Sequence, residues 1–212
     1  MSSTLKSNDF MQIIKGRRSI RTYDSTYKIP KKELLRIIED AASAPSSANL
    51  QPWRLVVVDS DEGKEKLRPL VKFNTKQNDT SSAMLLVFAD FKSYENAEYI
   101  FNKAVDEGKM PAEVRDQQLA AIQSHYPTLP KEQINDVIKV DSGLFAMQLM
   151  LVARAYGYDT NPIGGFEADQ LAEAFALDPE RYTPVLILSI GKAAEQGYDS
   201  VRLSPEQITF WR

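Results

Sequence analysis

The sequence predicts an α+β fold in which a small β-sheet is wrapped by helices. Three short apolar runs, at residues 55–59, 84–90 and 184–190, have the length and composition of buried strands. Much longer stretches with helical spacing of apolar residues separate them, so helix outweighs strand. No repeat, low-complexity tract or linker is visible, which favours one domain over residues 1–212.

Two helices are predicted ahead of the first strand. Residues 10–14 carry Phe and Ile at helical spacing directly after Asn8 and Asp9, which are favourable N-cap residues. A second helix starts at Pro30 and runs to about Ala44, because its apolar side chains recur three and four residues apart.

The middle of the chain is predicted to be mainly helical. A helix over 62–71 precedes the second strand, and residues 93–126 form a charged helical excursion that is interrupted at 108–111. The longest helix covers 131–156. Its central part, 143–153, is apolar on nearly every face, which predicts burial on all sides.

The C-terminal third contains a Gly/Pro turn at 161–166, a helix at 167–177 and then the third strand. The tail, residues 192–212, has little periodicity but ends in Phe210 and Trp211. Large apolar side chains left in water would form an unusual patch, so we expect the tail to dock on another surface.

The composition excludes several classes of function. With 26 Lys+Arg and 29 Asp+Glu the net charge is -3, so no general attraction to nucleic acid or an anionic membrane is expected. The absence of cysteine excludes thiolate metal sites and cysteine nucleophiles, and a single histidine excludes a two-His zinc site within one chain. We expect no bound metal, interpret His125 as an exposed helix-end residue, and expect a cytoplasmic location because no signal peptide is visible.

A basic segment follows the first helix: Arg17, Arg18, Ser19 and Arg21 lie within five residues. Guanidinium groups suit phosphate and can also donate to a carbonyl that gains negative charge. Taken alone, such a run is more often a solvated loop.

The loop at 44–52 places Pro45, Ser46, Ser47 and Asn49 at a helix-to-strand junction. Such a loop can present hydroxyl and N–H groups to a flat polar ligand, although an ordinary turn is equally compatible. Trp53, which follows it, is interpreted as a core residue.

A third candidate is the turn Asn161-Pro162-Ile163-Gly164-Gly165, since paired glycines let the backbone approach a ligand. Lys192 and Arg202 follow the last strand and are unremarkable alone. No dinucleotide fingerprint or P-loop is present, so a Rossmann-type NAD(P)H domain is not expected.

In this order, these segments resemble the FMN-dependent nitroreductase family over nearly the whole chain. The motifs that carry the resemblance are Arg17-Arg18-Ser19-x-Arg21, Pro45-Ser46-Ser47-x-Asn49-x-Gln51-Pro52-Trp53, Pro162-x-Gly164-Gly165-Phe166, Gly191-Lys192 and Arg202-Leu203-x-Pro205. The resemblance implies a mostly antiparallel sheet, an intertwined homodimer with residues 192–212 as its arm, and two FMN sites at the interface.

The resemblance also implies residue roles at the flavin. Arg17, Arg18, Ser19 and Arg202 would hold the phosphate and ribityl chain, with Arg21 at the N1–C2 carbonyl edge. Pro45, Ser46 and Ser47 would reach the flavin of the partner chain, and Asn49 is a further expected FMN contact. The backbone N–H of Gly164 would face N5. The remaining expected FMN contacts are Asn74, Gln77, Pro162, Ile163, Gly165 and Lys192.

Two positions depart from part of the family. Some members carry Glu where Gly164 stands, and some carry Lys where Ser200 stands. The first change bears on acceptor or nicotinamide preference. The second removes one phosphate contact.

The function implied is hydride transfer from NAD(P)H through bound FMN to a nitroaromatic, quinone or similar acceptor, by a ping-pong mechanism. Three alternatives stay open at this point. The same fold and flavin could serve dehalogenation, flavin cleavage or azoline oxidation; the protein could bind flavin with little turnover; or it could be an interaction domain without cofactor.

Overall fold

The computed structural model describes residues 5–212, so residues 1–4 of the predicted domain lie outside the described residues. The sheet has four antiparallel strands in the order β1-β2-β4-β3. The strands are β1 Trp53–Val58, β2 Ala83–Asp90, β3 Asp159–Ile163 and β4 Tyr182–Gly191. The helices are α1 Phe10–Gly16, α2 Lys31–Ala41, α3 Asp61–Leu67, α4 Thr75–Thr80, α5 Ala97–Asp106, α6 Ala112–His125, α7 Lys131–Ala155, α8 Ala168–Ala174 and α9 Pro205–Ile208. The predicted α+β class is confirmed.

The sheet is covered on both faces. Every residue of β2 is buried, and its side chains alternate between two apolar clusters. Leu85 and Val87 join a cluster that includes residues of α2 and α7, whereas Leu86 and Phe88 join one that includes residues of α3 and α8. The sheet is therefore the middle layer of three.

Helix α7 packs along one face of the sheet. Phe145 is fully buried and stacks on Trp53 with 4.9 Å between ring centroids, which confirms Trp53 as a core residue. The prediction that 143–153 is buried on all sides is wrong for the single chain, because Leu144 and Met147 are 46% and 42% exposed. With Val140, 64% exposed, they form an apolar face on the surface of the chain.

The sequence prediction missed β3 and α4. Residues 161–166 were expected to be a turn, but their first part belongs to β3, which pairs with β4. A proline is tolerated there because β3 is an edge strand and Pro162 is exposed. Helix α2 ends at Ala41, before the predicted Ala44, and the chain continues as a turn into Pro45.

The helical excursion is a pair of helices, α5 and α6. Gly108 adopts a left-handed φ of 68° in the predicted interruption, and α6 ends at the exposed His125, as expected. The pair packs on the main body through Leu50, which shares a buried cluster with Phe101 and Ile122. The excursion therefore contacts the loop that follows Pro45.

The tail begins as an extension of the sheet edge. The Asp24 N–H donates to the Lys192 carbonyl, and the Ala194 N–H donates to the Thr22 carbonyl, each at 2.9 Å. Beyond the one-turn helix α9, Phe210 and Trp211 are exposed. Within residues 5–212 no helix combines the length and apolarity needed to cross a bilayer, and no cluster of His, Asp or Glu is arranged to hold a metal ion.

Candidate functional site

The basic segment after α1 lies along the edge of β3 that does not pair with β4. Ser19 forms a parallel bridge with Thr160, and the Ile20 N–H donates to the Thr160 carbonyl at 3.2 Å. This pairing fixes the course of the backbone between Arg17 and Arg21. Their side chains are therefore presented from a rigid element.

Four arginines converge on a cavity of about 200 Å³, here called the arginine pocket. Its lining consists of Arg17, Arg18, Ser19, Arg21, Tyr198, Asp199, Ser200 and Arg202. Nη1 of Arg17 is buried and has no hydrogen-bond partner among the described residues. Burial lowers the pKa of Arg17, and the charges of Arg202 and Arg18 lower it further. A partly desolvated cation with an unpaired donor favours the binding of an anion.

The tail forms the outer wall of the arginine pocket. Arg18 pairs with Asp199 at 2.7 Å, and the Arg21 guanidinium lies 5.4 Å from the centroid of the Tyr198 ring. The carboxylate of Glu195 accepts from the Arg21 N–H at 2.7 Å. Sequence reasoning missed these three tail residues, because only the fold brings them to the basic segment.

Ser200 forms a hydrogen bond with Arg202 in the lining of the arginine pocket. Nη1 of Arg202 donates to the Ser200 hydroxyl at 2.6 Å and to the Val201 carbonyl at 3.0 Å. The hydroxyl of Ser200 therefore orients the nearby Arg202 side chain. The guanidinium of Arg202 is held at the pocket wall as a result.

A second group of polar atoms, the amide corner, consists of Asn74, Gln77 and Gly165. The Asn74 side-chain amide donates to the Gly165 carbonyl at 3.1 Å, and the Gln77 amide donates to the Asn74 side-chain oxygen at 3.1 Å. A Cβ built on Gly164 would meet no atom within 4 Å, so this backbone borders open space. Ile163, in contrast, is 2% exposed, so its expected contact with FMN stays a prediction.

Lys192 lies outside the lining of the arginine pocket. Its ammonium donates to the Gly157 carbonyl at 2.6 Å and lies 4.2 Å from the centroid of the Tyr158 ring. These contacts give Lys192 a place in the packing of the chain. Its contact with a cofactor stays a prediction.

The serine loop, residues 45–51, borders a different cavity of about 500 Å³. The wall opposite the loop is formed by α7 residues, including Val140, Asp141 and Leu144. The Ser47 N–H donates to the Asp141 carboxylate at 3.0 Å. Within the loop, the backbone carbonyl and side-chain oxygen of Asn49 accept from the Gln51 side-chain amide. The cavity beside the loop shares no lining residue with the arginine pocket.

The arrangement suits one kind of ligand. A cationic pocket with an unpaired guanidinium N–H can hold a phosphate. The exposed Gly164–Gly165 backbone and the amide corner can bind the polar edge of a flat ring. The arginine pocket and the amide corner flank the same strand, β3, because Ser19 bridges to Thr160 and Gly165 follows the end of the strand. A planar, phosphorylated cofactor matches this pairing of features.

The sequence pattern of the Nitroreductase family matches residues 14–192, from α1 to just past β4. The chain belongs to the nitroreductase family. Membership makes it an oxidoreductase of the nitroreductase type, and it confirms the resemblance seen in the sequence.

Three relatives show how closely the chain follows the family. YdgI of Bacillus subtilis, which is named as an NAD(P)H nitroreductase, is 55% identical, and the match covers 98% of this chain and 100% of YdgI. A protein of Exiguobacterium sibiricum, solved in complex with FMN, superposes with a TM-score of 0.95 at 56% identity, covering 99% of this chain and 100% of its own. The CLA biosynthesis enone reductase of Lactiplantibacillus plantarum is 37% identical over 97% of this chain and 95% of its own.

Gly197 is the position at which the tail packs most closely against the basic segment among the tail glycines that the structure describes. Its φ is +70°, and an added Cβ would lie 2.8 Å from Arg18 Cβ and 3.0 Å from Ile20 Cδ1. We expect Gly197→Ala to displace the tail and break the bond from the Arg21 N–H, so that this amide exchanges about tenfold faster or more. Hydrogen exchange measures the effect.

Gly108→Ala is the matched control. Gly108 has nearly the same φ, +68°, but an added Cβ would meet no atom within 4 Å. It carries the backbone strain without the clash. Equal protection of the Arg21 amide in both variants would contradict this account of the tail.

Proposed function

We propose that the protein is an FMN-dependent oxidoreductase that uses NAD(P)H to reduce nitroaromatic, quinone or similar acceptors. The observation that carries the proposal is the buried Nη1 of Arg17, which has no partner among the described residues, in a pocket lined by three further arginines. A phosphate group would pair with this donor and offset the positive charge. The FMN complex of the Exiguobacterium sibiricum relative supports the same cofactor.

Two groups of residues would bind the two ends of FMN. Arg17, Arg18, Ser19 and Arg202 would hold the phosphate and ribityl chain, and Ser200 would orient Arg202. The amide corner and the open backbone at Gly164 would bind the polar edge of the ring, with the Gly164 N–H directed to N5. Arg21 would lie at the C2 carbonyl.

When bound, FMN would supply the hydride-transfer chemistry between the nicotinamide and the acceptor. The chain contributes orientation and charge. The Arg21 cation would stabilise negative charge that develops at the N1–C2 edge on reduction. The open space beside Gly164 would admit each flat reactant in turn, and a single shared site of this kind gives ping-pong kinetics.

We also propose that the enzyme acts as a homodimer. The exposed apolar face of α7 and the apolar tail are surfaces that a second copy would cover. The serine loop and the arginine pocket are separate within one chain, so a partner's loop would complete each flavin site. Because NAD(P)H is supplied in the cytoplasm, we propose that location.

Turnover of the purified protein tests the proposal. We expect a yellow protein that releases about one FMN per chain, elutes with the mass of two chains, and oxidises NADH or NADPH with menadione or nitrofurazone. An enone belongs in the panel, because one relative is an enone reductase by name. Initial rates against both substrates should give parallel double-reciprocal lines. A colourless protein that takes up no added FMN would overturn the proposal.

Arg17 and Arg21 should have different effects when they are replaced by methionine. Arg17→Met should weaken FMN binding roughly 10- to 100-fold, since it removes the buried donor to the phosphate. The same change should raise the melting temperature of the FMN-free protein, because it removes an unpaired, partly desolvated cation.

Arg21→Met is the companion variant. It should retain FMN but lower the two-electron midpoint potential of the flavin by roughly 20–60 mV, since the cation favours the reduced state. Fluorescence titration measures FMN affinity, and equilibration with redox dyes measures the potential. Unchanged FMN affinity in Arg17→Met would show that the phosphate binds elsewhere.

A further inference from the structure

The serine loop is held in an unfavourable backbone conformation. Ala48, Asn49 and Gln51 have φ values of 49°, 55° and 48°, in the left-handed region that residues with a Cβ rarely adopt. Such conformations persist only where the surrounding contacts over-determine them. The loop therefore needs anchors on both sides of the strained residues.

Two anchors act on the strained residues and the end of the loop. Leu50 is 2% exposed and inserts into the cluster formed with α5 and α6. The Gln51 N–H donates to the Ser46 hydroxyl at 3.0 Å, which closes the loop on itself. Neither contact joins the start of the loop to the main body.

The start of the loop is joined to α7 by Asp141. This carboxylate is 6% exposed and accepts the Ser47 N–H at 3.0 Å. Burial raises the pKa of Asp141, and the hydrogen bond from the Ser47 N–H opposes part of that rise. Two helical turns later, Gln148 donates to the Ser43 hydroxyl at 2.7 Å, so one face of α7 holds the chain before and after Pro45.

We propose that Asp141 is a positioning residue for the flavin site: its carboxylate, through the Ser47 N–H, sets the conformation in which the serine loop meets the flavin. The inference rests on the proposed function, in which that flavin is bound by the partner chain. The loop's direct contacts are made by its own residues. Asp141 acts on the flavin only through them.

The first test replaces Asp141 in the FMN-loaded dimer. Asp141→Ala removes the acceptor, and we expect it to raise the dissociation constant of FMN about tenfold and to shift the visible spectrum of the bound flavin. Asp141→Asn keeps a side-chain oxygen that can accept the same N–H, so it should restore most of the affinity and the spectrum. A role confined to folding would lower the melting temperature without moving the spectrum.

Asp136→Ala is the matched control. Asp136 is an exposed aspartate on the same helix, at the rim of the same cavity. The substitution removes the same charge without removing the acceptor of the Ser47 N–H. It should leave FMN affinity and the flavin spectrum as in the wild type.

The second test removes the donor instead of the acceptor. Ser47→Pro deletes the N–H, and the local backbone accepts proline, because Ser46 is extended (φ -147°, ψ 160°) and Ser47 begins a short helical turn. Ser47→Ala, which keeps the N–H, controls for the hydroxyl. We expect the double variant Asp141→Ala/Ser47→Pro to bind FMN as weakly as either single variant, because both remove one bond.

Two results would overturn the proposal. Additive losses in the double variant would show that Asp141 and Ser47 act independently. Equal FMN affinity and spectra in Asp141→Ala and Asp136→Ala would show that the buried carboxylate has no effect on the flavin. If the wild-type protein holds no FMN, the proposed function fails first, and that outcome is visible before any variant is made.

Discussion

The positive charge gathered around Arg17 is the constraint on which the rest of the site depends. Its Nη1 is buried without a partner among the described residues, and Arg18 and Arg202 add like charge nearby. An arrangement of this kind is unfavourable until an anion enters, because both desolvation and repulsion oppose it. The fold must therefore hold the arginines in place against their own repulsion, so that binding energy is not spent on arranging them.

The sheet supplies that rigidity. The basic segment pairs with β3 through Ser19, and the start of the tail pairs with Tyr23 through Ala193, so each wall of the arginine pocket continues from a segment that is held by backbone pairing. β3 pairs with β4, whose inner neighbour β2 is buried along its whole length. Side chains carried by such elements are positioned more accurately than side chains on free loops. The serine loop is the exception, and its strain explains why it needs contacts from α7 and the α5–α6 pair.

Sequence periodicity predicted the elements whose burial pattern is local, and missed those that depend on distant partners. α7 and β2 were found because long apolar patterns define them. The Pro162-x-Gly164-Gly165 pattern predicts a turn, but the same pattern can stand at the end of an edge strand, and here its first two residues belong to β3. Among the site residues, Arg17 and Arg202 were predicted through the family resemblance. Glu195 and Asp141 were not, because each acts on a residue more than ninety positions away.

The comparison of FMN with riboflavin tests the central claim most directly. Riboflavin carries the same ring and ribityl chain but no phosphate, so the difference in affinity isolates what the arginine pocket contributes. Titration of the FMN-free protein should give a dissociation constant for FMN at least roughly 100-fold below that for riboflavin, and the ratio should shrink as salt is added. Equal affinities for the two flavins would contradict the account, because the buried Nη1 of Arg17 would then have no phosphate to bind.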